Sequence, residues 1–420
     1  MDEVVAPGGR RALLRGVAAS VIDQAGFGAS RALAAACTLG VPGVRAATAP
    51  LVVWFTVEGS KGLRRTAEGF TRETGVPVVV ETPDEGSSKF QQAAAAGKGP
   101  DLYVYAHDRI GEWIAGGLLH AVTPHRALHD DIDPLAWRGF ASRGRLWGYP
   151  YAIEAVNLVY NKALVAQPPT SFDELIALDD RMARQGRRAI LWDYTNAYFS
   201  WPLLAAGGGY AFRQGPDGRY DPQDTGANHP GAVVGAEWLA RLVREGRMPA
   251  GSGYPEMEAA LAQGRVAMMI NGPWSWVNLQ RAGIDYGVAP LPLVAGQRAV
   301  PFVGIKGVLV NRATRQREVA VEFVEHHMLT PAGLRAIDAA EPIGAPASRA
   351  FYAERSQDPR IAAIMASARD GVPTPSIAEM GRFWAAMKSA LTTLTEGRQD
   401  ARSALDAAAR RIRGPDRPAA

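Results

Sequence analysis

Past residue 50 the sequence keeps switching between two hydrophobic periods, and that alternation limits the fold more than any other feature. Residues 51–55 form a short β-rich run; Leu63, Ala67 and Phe70 then recur at helical spacing up to Gly75, a residue type that commonly ends helices. Residues 76–80 predict a second strand, 89–96 a helix ended by Gly97, 102–105 a strand, and 109–114 the opening of another helix. Strand–helix–strand order of this kind predicts an α/β protein with a largely parallel, doubly wound sheet, because parallel neighbours need a crossover and a helix supplies it.

After Tyr149-Pro150 the pattern resumes with a strand over 156–160. The next helix is announced by Ser171-Phe172-Asp173-Glu174, a capping box in which hydroxyl and carboxylate satisfy each other's free amides. A second sheet is expected to begin here. Further expected elements are a helix over 232–245 closed by Gly246, strands over 266–270 and 302–310, and a helix over 319–329. In the last stretch Met380, Phe383, Trp384, Met387, Leu391 and Leu394 fall at helical spacing. A chain of 420 residues exceeds what one core fills, so two or three domains are expected.

Charge excludes a dedicated nucleic-acid binder: 46 Lys+Arg against 42 Asp+Glu leaves +4, with no concentrated field. The basic stretches at 184–188 and 410–417 sit at ends of helical patterns, where cations complement the helix dipole. A single cysteine, Cys37, excludes an internal disulfide or a cysteine metal cage. It stands in a leader-like segment over 1–49: residues 32–44 carry no charge, Arg31 precedes them, and Ala47-Thr48-Ala49 has the form of a cleavage site, as in a secretory signal peptide. Arg10-Arg11 offers a twin-arginine route as an alternative. Leu33-Ala34-Ala35-Ala36-Cys37 loosely resembles a lipoprotein box, with a lipid anchor at Cys37. No apolar run of 18 residues follows residue 50, so no membrane span is expected there.

Catalytic signatures are missing from the sequence. There is no Gly-x-Ser-x-Gly elbow, no His-Glu-x-x-His zinc helix and no phosphate loop. His125 and His129 are four apart and could share a helix face with Asp133 nearby, but a surface helix accounts for them without a metal; His326 and His327 read as a polar helix face. No metal and no cofactor is expected.

What the sequence does concentrate is aromatic residues beside carboxylates. Tyr105-Ala106-His107-Asp108-Arg109, Tyr149-Pro150-Tyr151-Ala152-Ile153-Glu154 and Asn271-Gly272-Pro273-Trp274-Ser275-Trp276 are each expected at the C-terminal end of a strand, where open α/β sheets bind ligands. A pyranose needs this pairing, since its C–H face packs on a ring while its rim of hydroxyls donates to carboxylates. On periodicity alone Trp384 reads as core and Glu58 and Glu154 as surface acids; Trp54, Trp201 and Trp276 read as packing residues and Asp101 as a capping or turn residue.

At these residues the chain resembles the periplasmic maltose/maltodextrin-binding proteins, the solute receptors of ABC importers. The resemblance runs from Leu51 to about Arg413 and rests on Gly99-Pro100-Asp101, Ala106-His107-Asp108-Arg109, Leu158-Val159-Tyr160-Asn161-Lys162, Tyr198-Phe199-Ser200-Trp201-Pro202-Leu203, Ile270-Asn271-Gly272-Pro273-Trp274, Pro301-Phe302-Val303-Gly304, Asp358-Pro359-Arg360 and Phe383-Trp384. It implies a two-lobed clamp of the type II class, each lobe a mainly parallel sheet flanked by helices. Residues 50–152 with 308–355 would form lobe 1, 153–302 with 356–414 lobe 2, 303–307 a hinge crossing and 415–420 a tail. It implies further a monomer, exported to the periplasm or another extracytoplasmic space, that binds maltose or maltooligosaccharides and delivers them to membrane permease subunits.

The resemblance also assigns sugar contacts. Glu58, Asp108 and Glu154 would accept from hydroxyls and Arg109 would donate; Tyr198, Trp274 and Trp384 would be platforms under successive glucose units, with Tyr254 a further aromatic contact and Ala106 a small residue against the sugar. Departures bear on specificity. The loop over 57–61 is one residue short, Gly59 falls where a sugar-binding lysine is usual, Tyr105 replaces a tryptophan platform and Asn196 a glutamate. Trehalose or another α-glucoside is therefore an alternative ligand. Two other classes compete: a glycoside hydrolase, using Glu58 or Asp108 opposite Glu154 as its acid pair, and a purely structural surface protein.

Overall fold

The alternation of hydrophobic periods is realised as strands buried against helices on two separate sheets. The computed structural model describes residues 49–216 and 218–414; the leader expected over 1–49 (Ala49 excepted), Cys37 and the tail over 415–420 lie outside them. In chain order the strands are β1 (Leu51–Trp54), β2 (Val78–Glu81), β3 (Leu102–Ala106), the hairpin β4 (Ala141–Ser142) and β5 (Arg145–Leu146), β6 (Tyr149–Ala155), β7 (Asn157–Asn161), β8 (Arg188–Leu191), the hairpin β9 (Arg213–Gln214) and β10 (Tyr220–Asp221), β11 (Val266–Asn271), β12 (Tyr286–Ala289), β13 (Phe302–Val310), β14 (Ala345–Pro346) and β15 (Val372–Pro373).

Seven strands form one sheet in the order β14-β6-β13-β3-β1-β2, with β15 beside β13; four form another in the order β12-β7-β11-β8. The expectation of mainly parallel sheets is corrected. β1 runs parallel to β2 and β3, but β13 is antiparallel to both β3 and β6, and β7 is antiparallel to both β11 and β12. The reason is connectivity. β13 does not arrive through a crossover helix on its own sheet; it comes straight from β12 in the other sheet and enters running the opposite way.

Local chemistry explains the element ends. The helix Val57–Thr74 starts where Thr56 accepts from the Gly59 amide and stops at Gly75, whose φ of 77° suits a residue without Cβ. It buries Leu63, Ala67 and Phe70 as its periodicity predicts, and Gly62 lets the helix Pro331–Asp338 come close, since a Cβ there would stand 2.1 Å from the Ala336 carbonyl oxygen. The helix Phe172–Ala183 is capped by Ser171 as expected. The helix expected over 319–329 instead breaks into Arg317–Phe323 and a π-helical turn, Val324–Met328.

The segment 149–154 is not a loop following a strand; all seven residues of β6 are buried, with Tyr149 and Tyr151 among the largest interior side chains. Val156 alone separates β6 in the first sheet from β7 in the second, and the chain returns between β12 and β13. The helix Pro359–Asp370 packs on β6 and on β12, so it touches both sheets. The last two helices, Met380–Thr395 and Ala401–Arg413, pack on each other and on Pro230–Arg244.

Candidate functional site

Tyr198 is the centre of the site. It opens the helix Ala197–Ala206, whose cap is Asn196: the Asn196 side chain accepts from the Tyr198 amide at 3.1 Å, fixing where the ring leaves the helix. Its ring centroid lies 6.0 Å from Trp274 and 6.5 Å from Trp384, tilted 54° and 56°, and 6.4 Å from Phe302 at 20°. Three platforms expected from separate stretches of chain are thus one aromatic cluster, and each is only half-buried. Trp274 sits in the turn Pro273–Ser275 directly after β11; its ring folds over Gly272, where a Cβ would lie 2.1 Å from the indole. Trp384 is held by Phe302 at 5.4 Å and Phe383 at 5.1 Å. Tyr254 reaches the cluster through Phe199 at 5.9 Å and donates to Glu258 at 2.8 Å.

The acids meet this cluster from the other side. Glu154, expected as a second-lobe acid, lies on β6 in the seven-stranded sheet, paired with Gly304 on β13. Only 5% of it is exposed. Its Oε1 is 3.0 Å from the Lys306 ammonium but off the direction a hydrogen bond requires, so the contact is an ion pair and that oxygen has no hydrogen-bond donor. Burial raises the Glu154 carboxyl above its ordinary range, and Lys306 opposes the rise. The Tyr198 hydroxyl lies where it would be 3.2 Å from a Cβ on Gly304, and burial, then the Glu154 and Asp108 charges, push its pKa up.

Asp108 and Arg109 belong to the tight turn His107–Arg109 that follows β3. Burial raises the Asp108 carboxyl, and its own backbone amide and the Arg109 charge oppose the rise. A partly buried carboxylate whose donor is its own amide still gains from a further donor. Arg109, by contrast, is occupied: it donates to Ser87 at 3.1 Å, Gln91 at 2.9 Å and Glu112 at 2.9 Å, and lies over Trp113. Tyr105 stacks on Tyr103 at 5.1 Å and 15°. Ala106 pairs across the sheet with Lys306.

Glu58 stands apart from the aromatic cluster. It is bound by Lys61 at 2.5 Å and by Arg281 at 2.8 Å, and those two cations hold its carboxyl below the ordinary range. Arg281 ends the helix Trp276–Arg281, which follows Trp274. His125 and His129 do not share a face as the spacing suggested: His125 precedes the helix Arg126–Asp131 and caps it, His129 stacks on Trp137, and Asp133 caps the next helix. Trp201 and Trp276 are interior residues, as read from the sequence.

Two residues were missed. Lys306 is the one charge in the nine-residue apolar strand β13, a signal that was present in the sequence. It is buried between Glu154 and Glu341, 3.3 Å away, and Glu341 accepts from Thr56 at 2.5 Å. Burial alone would lower its pKa, but Glu154, Tyr151 and Glu341 outweigh it and keep the ammonium charged. Buried His107 is the other. Its Nδ1 accepts from the Ile305 amide at 3.1 Å, so the Nε2–H donates to the Thr374 carbonyl at 2.9 Å; burial pushes its pKa down to about 4 and it stays neutral. It fixes the turn that carries Asp108.

This arrangement has ring faces and buried acids but no nucleophile paired with a base, and residues 56–333 match the family described as bacterial extracellular solute-binding protein. The chain belongs to that family. Its members bind solutes and are not enzymes. The chain is similar to the galactooligosaccharide-binding protein of Bacillus subtilis, 29% identical over 373 residues that span 87% of this chain and 89% of that one. It is also similar to a maltooligosaccharide ABC transporter solute-binding lipoprotein of Streptococcus pneumoniae, 29% identical over 83% of this chain and 85% of the relative, and to the maltotriose-binding protein of Pyrococcus abyssi, 30% identical over 61% and 56%. No helix among the described residues is long and apolar enough to cross a membrane.

Proposed function

We propose that this solute-binding protein is the extracytoplasmic receptor of an ABC sugar importer and captures maltose and maltooligosaccharides. The observation that carries the reading is that Trp274 and Trp384 gather round Tyr198, whose hydroxyl neighbours a buried carboxylate, Glu154, with an oxygen that no hydrogen-bond donor meets squarely. Glucose units lie on the rings through their C–H faces, and their hydroxyls donate to Glu154 and Asp108. A hydrogen bond to a charged partner contributes about 1.5–3 kcal/mol, so two contribute about 3–6 kcal/mol; packing on the three rings has to supply the rest of the about −8 kcal/mol of micromolar affinity and offset the ordering costs.

In this proposal one lobe is built on the seven-stranded sheet and the other on the four-stranded sheet, and they close by rotation where the chain passes between them, at Val156 and between β12 and β13. The Glu58–Arg281 pair supports a closed arrangement, since it joins a helix on the first sheet to one following β11 of the second. The closed, loaded form is the species handed to the permease. Lys306 supplies the cation that the resemblance leads one to expect near Gly59.

Calorimetry against maltose, maltotriose, trehalose, sucrose and a galactooligosaccharide tests the reading. Micromolar binding of maltotriose supports it; binding of the galactooligosaccharide alone, as the name of the Bacillus subtilis relative suggests for that protein, replaces the substrate.

A further inference from the structure

We propose that His125, Glu325 and His326 form a binding site for a divalent cation of the zinc type, separate from the sugar site. Their ligating atoms all lie within 4.8 Å of one another. Glu325 and His326 stand on the π-helical turn Val324–Met328, a local irregularity that often marks functional positions. His125 comes from two hundred residues earlier in the chain, and its ring lies parallel to that of His326, 5.2 Å between centroids at 5°.

The carboxylate is prepared for the role. Glu325 is 7% exposed, accepts the Tyr149 hydroxyl on Oε1 at 2.7 Å and the His125 backbone amide on Oε2 at 3.2 Å, and pairs with no lysine or arginine among the described residues. Oriented carboxylates of this kind raise metal affinity through their hydrogen-bond partners. The same Oε2 is 3.9 Å from His125 Nε2, and His326 Nε2 is 3.9 Å from Glu322, which offers a further oxygen. Around tetrahedral zinc, donors at about 2.0–2.1 Å stand about 3.4 Å apart, so atoms now within 4.8 Å of one another must close by at most about 1.4 Å, a shift that rotation of the two exposed imidazoles supplies. Nitrogen donors select zinc, nickel or copper over calcium and magnesium.

Capture changes one local bond. In the free protein His125 Nδ1 accepts from the Leu128 amide at 3.1 Å, so a neutral ring carries its proton on Nε2. Metal bound at Nε2 takes that lone pair; the proton moves to Nδ1, the ring remains neutral, and the Leu128 amide loses its acceptor. Strand geometry separates this site from the sugar site: Tyr149 and Glu154 are five residues apart on β6, about 16 Å.

The test is zinc titration of the untagged, metal-stripped full chain by calorimetry, with the Leu128 amide followed by NMR. One zinc per chain at micromolar Kd, and a shifted Leu128 amide, are expected. His326→Ala and Glu325→Gln should each weaken binding roughly tenfold or more. His125→Asn, which keeps a capping side chain, should do the same while leaving the thermal midpoint of the metal-free protein unchanged. Absence of saturable zinc binding below about 100 μM, or binding that survives His326→Ala and His125→Asn together, overturns the proposal.

Discussion

Replacing Trp274 with alanine separates a ligand platform from a packing residue, because Trp276, two positions on, supplies the control. Trp274 is half-buried and edges Tyr198 at 6.0 Å and Phe199 at 6.3 Å; Trp276 is 3% exposed and packs on Tyr286 and Arg360. A sugar laid on one indole face covers roughly a quarter of the 150–250 Å² an aromatic side chain buries, about 1 kcal/mol at 25 cal/mol per Å². The specific ring contact adds about 0.5–1.5 kcal/mol. Together they give about 2 kcal/mol, roughly thirtyfold in Kd. Trp276→Ala should instead cost about 3–5 kcal/mol of stability through the cavity it leaves. Calorimetry with maltotriose and thermal unfolding of both variants read the two quantities. Unchanged affinity in Trp274→Ala, or equal affinity losses in the two variants once both are folded, would refute the placement of the sugar on this ring.

Lys306→Met should lower stability by about 3–5 kcal/mol, because it strands the buried Glu154 and the partly buried Glu341 without their cation; a loss below about 1 kcal/mol in denaturant titration would contradict that ion cluster. His107 stays neutral in the fold down to about pH 4 whereas an unfolded imidazole protonates near 6.5, so the unfolded chain binds more protons and stability should fall by about 3 kcal/mol as pH drops from 6.5 to 4; His107→Asn should flatten that slope. Sugar affinity should weaken on acidification at pH values above the ordinary carboxyl range, since burial raises Glu154 and Asp108, and an affinity constant down to pH 4 would remove both from the site. Arg281→Ala should weaken sugar binding at low salt, with the difference shrinking at 1 M salt; a salt-independent effect would mean that Arg281 acts other than through its pair with Glu58.

Much of this protein was legible in its sequence where short-range chemistry decides. Ser171 and Gly75 end their helices because a cap needs only a hydroxyl or a missing Cβ nearby in the chain. Tyr198, Trp274 and Trp384 were singled out through the family resemblance, whereas periodicity alone made Trp384 a core residue. What stayed hidden were choices of distant partner. Nothing in the alternation of β13 says that it pairs antiparallel with β3 and β6, two hundred and one hundred and fifty residues earlier. Pro150 hid β6, which holds a proline where its ladder with β13 shifts register between Lys306 and Gly307. Glu58 resembled a free acid until Arg281 was brought against it from the other sheet, and His125 and His129 shared a spacing but not a helix.

Only Val156 stands between the last residue of β6 and the first of β7, and Glu154 precedes it by two positions. In the proposed clamp, a sugar hydroxyl at Glu154 would act almost on the axis of rotation between the sheets, where leverage is least and stiffness greatest. Such a contact can lock an angle already reached without supplying the swing itself. In that proposal the torque would come from groups further from the axis, and the Arg281 pair with Glu58, which joins elements of the two sheets, is a candidate to provide it.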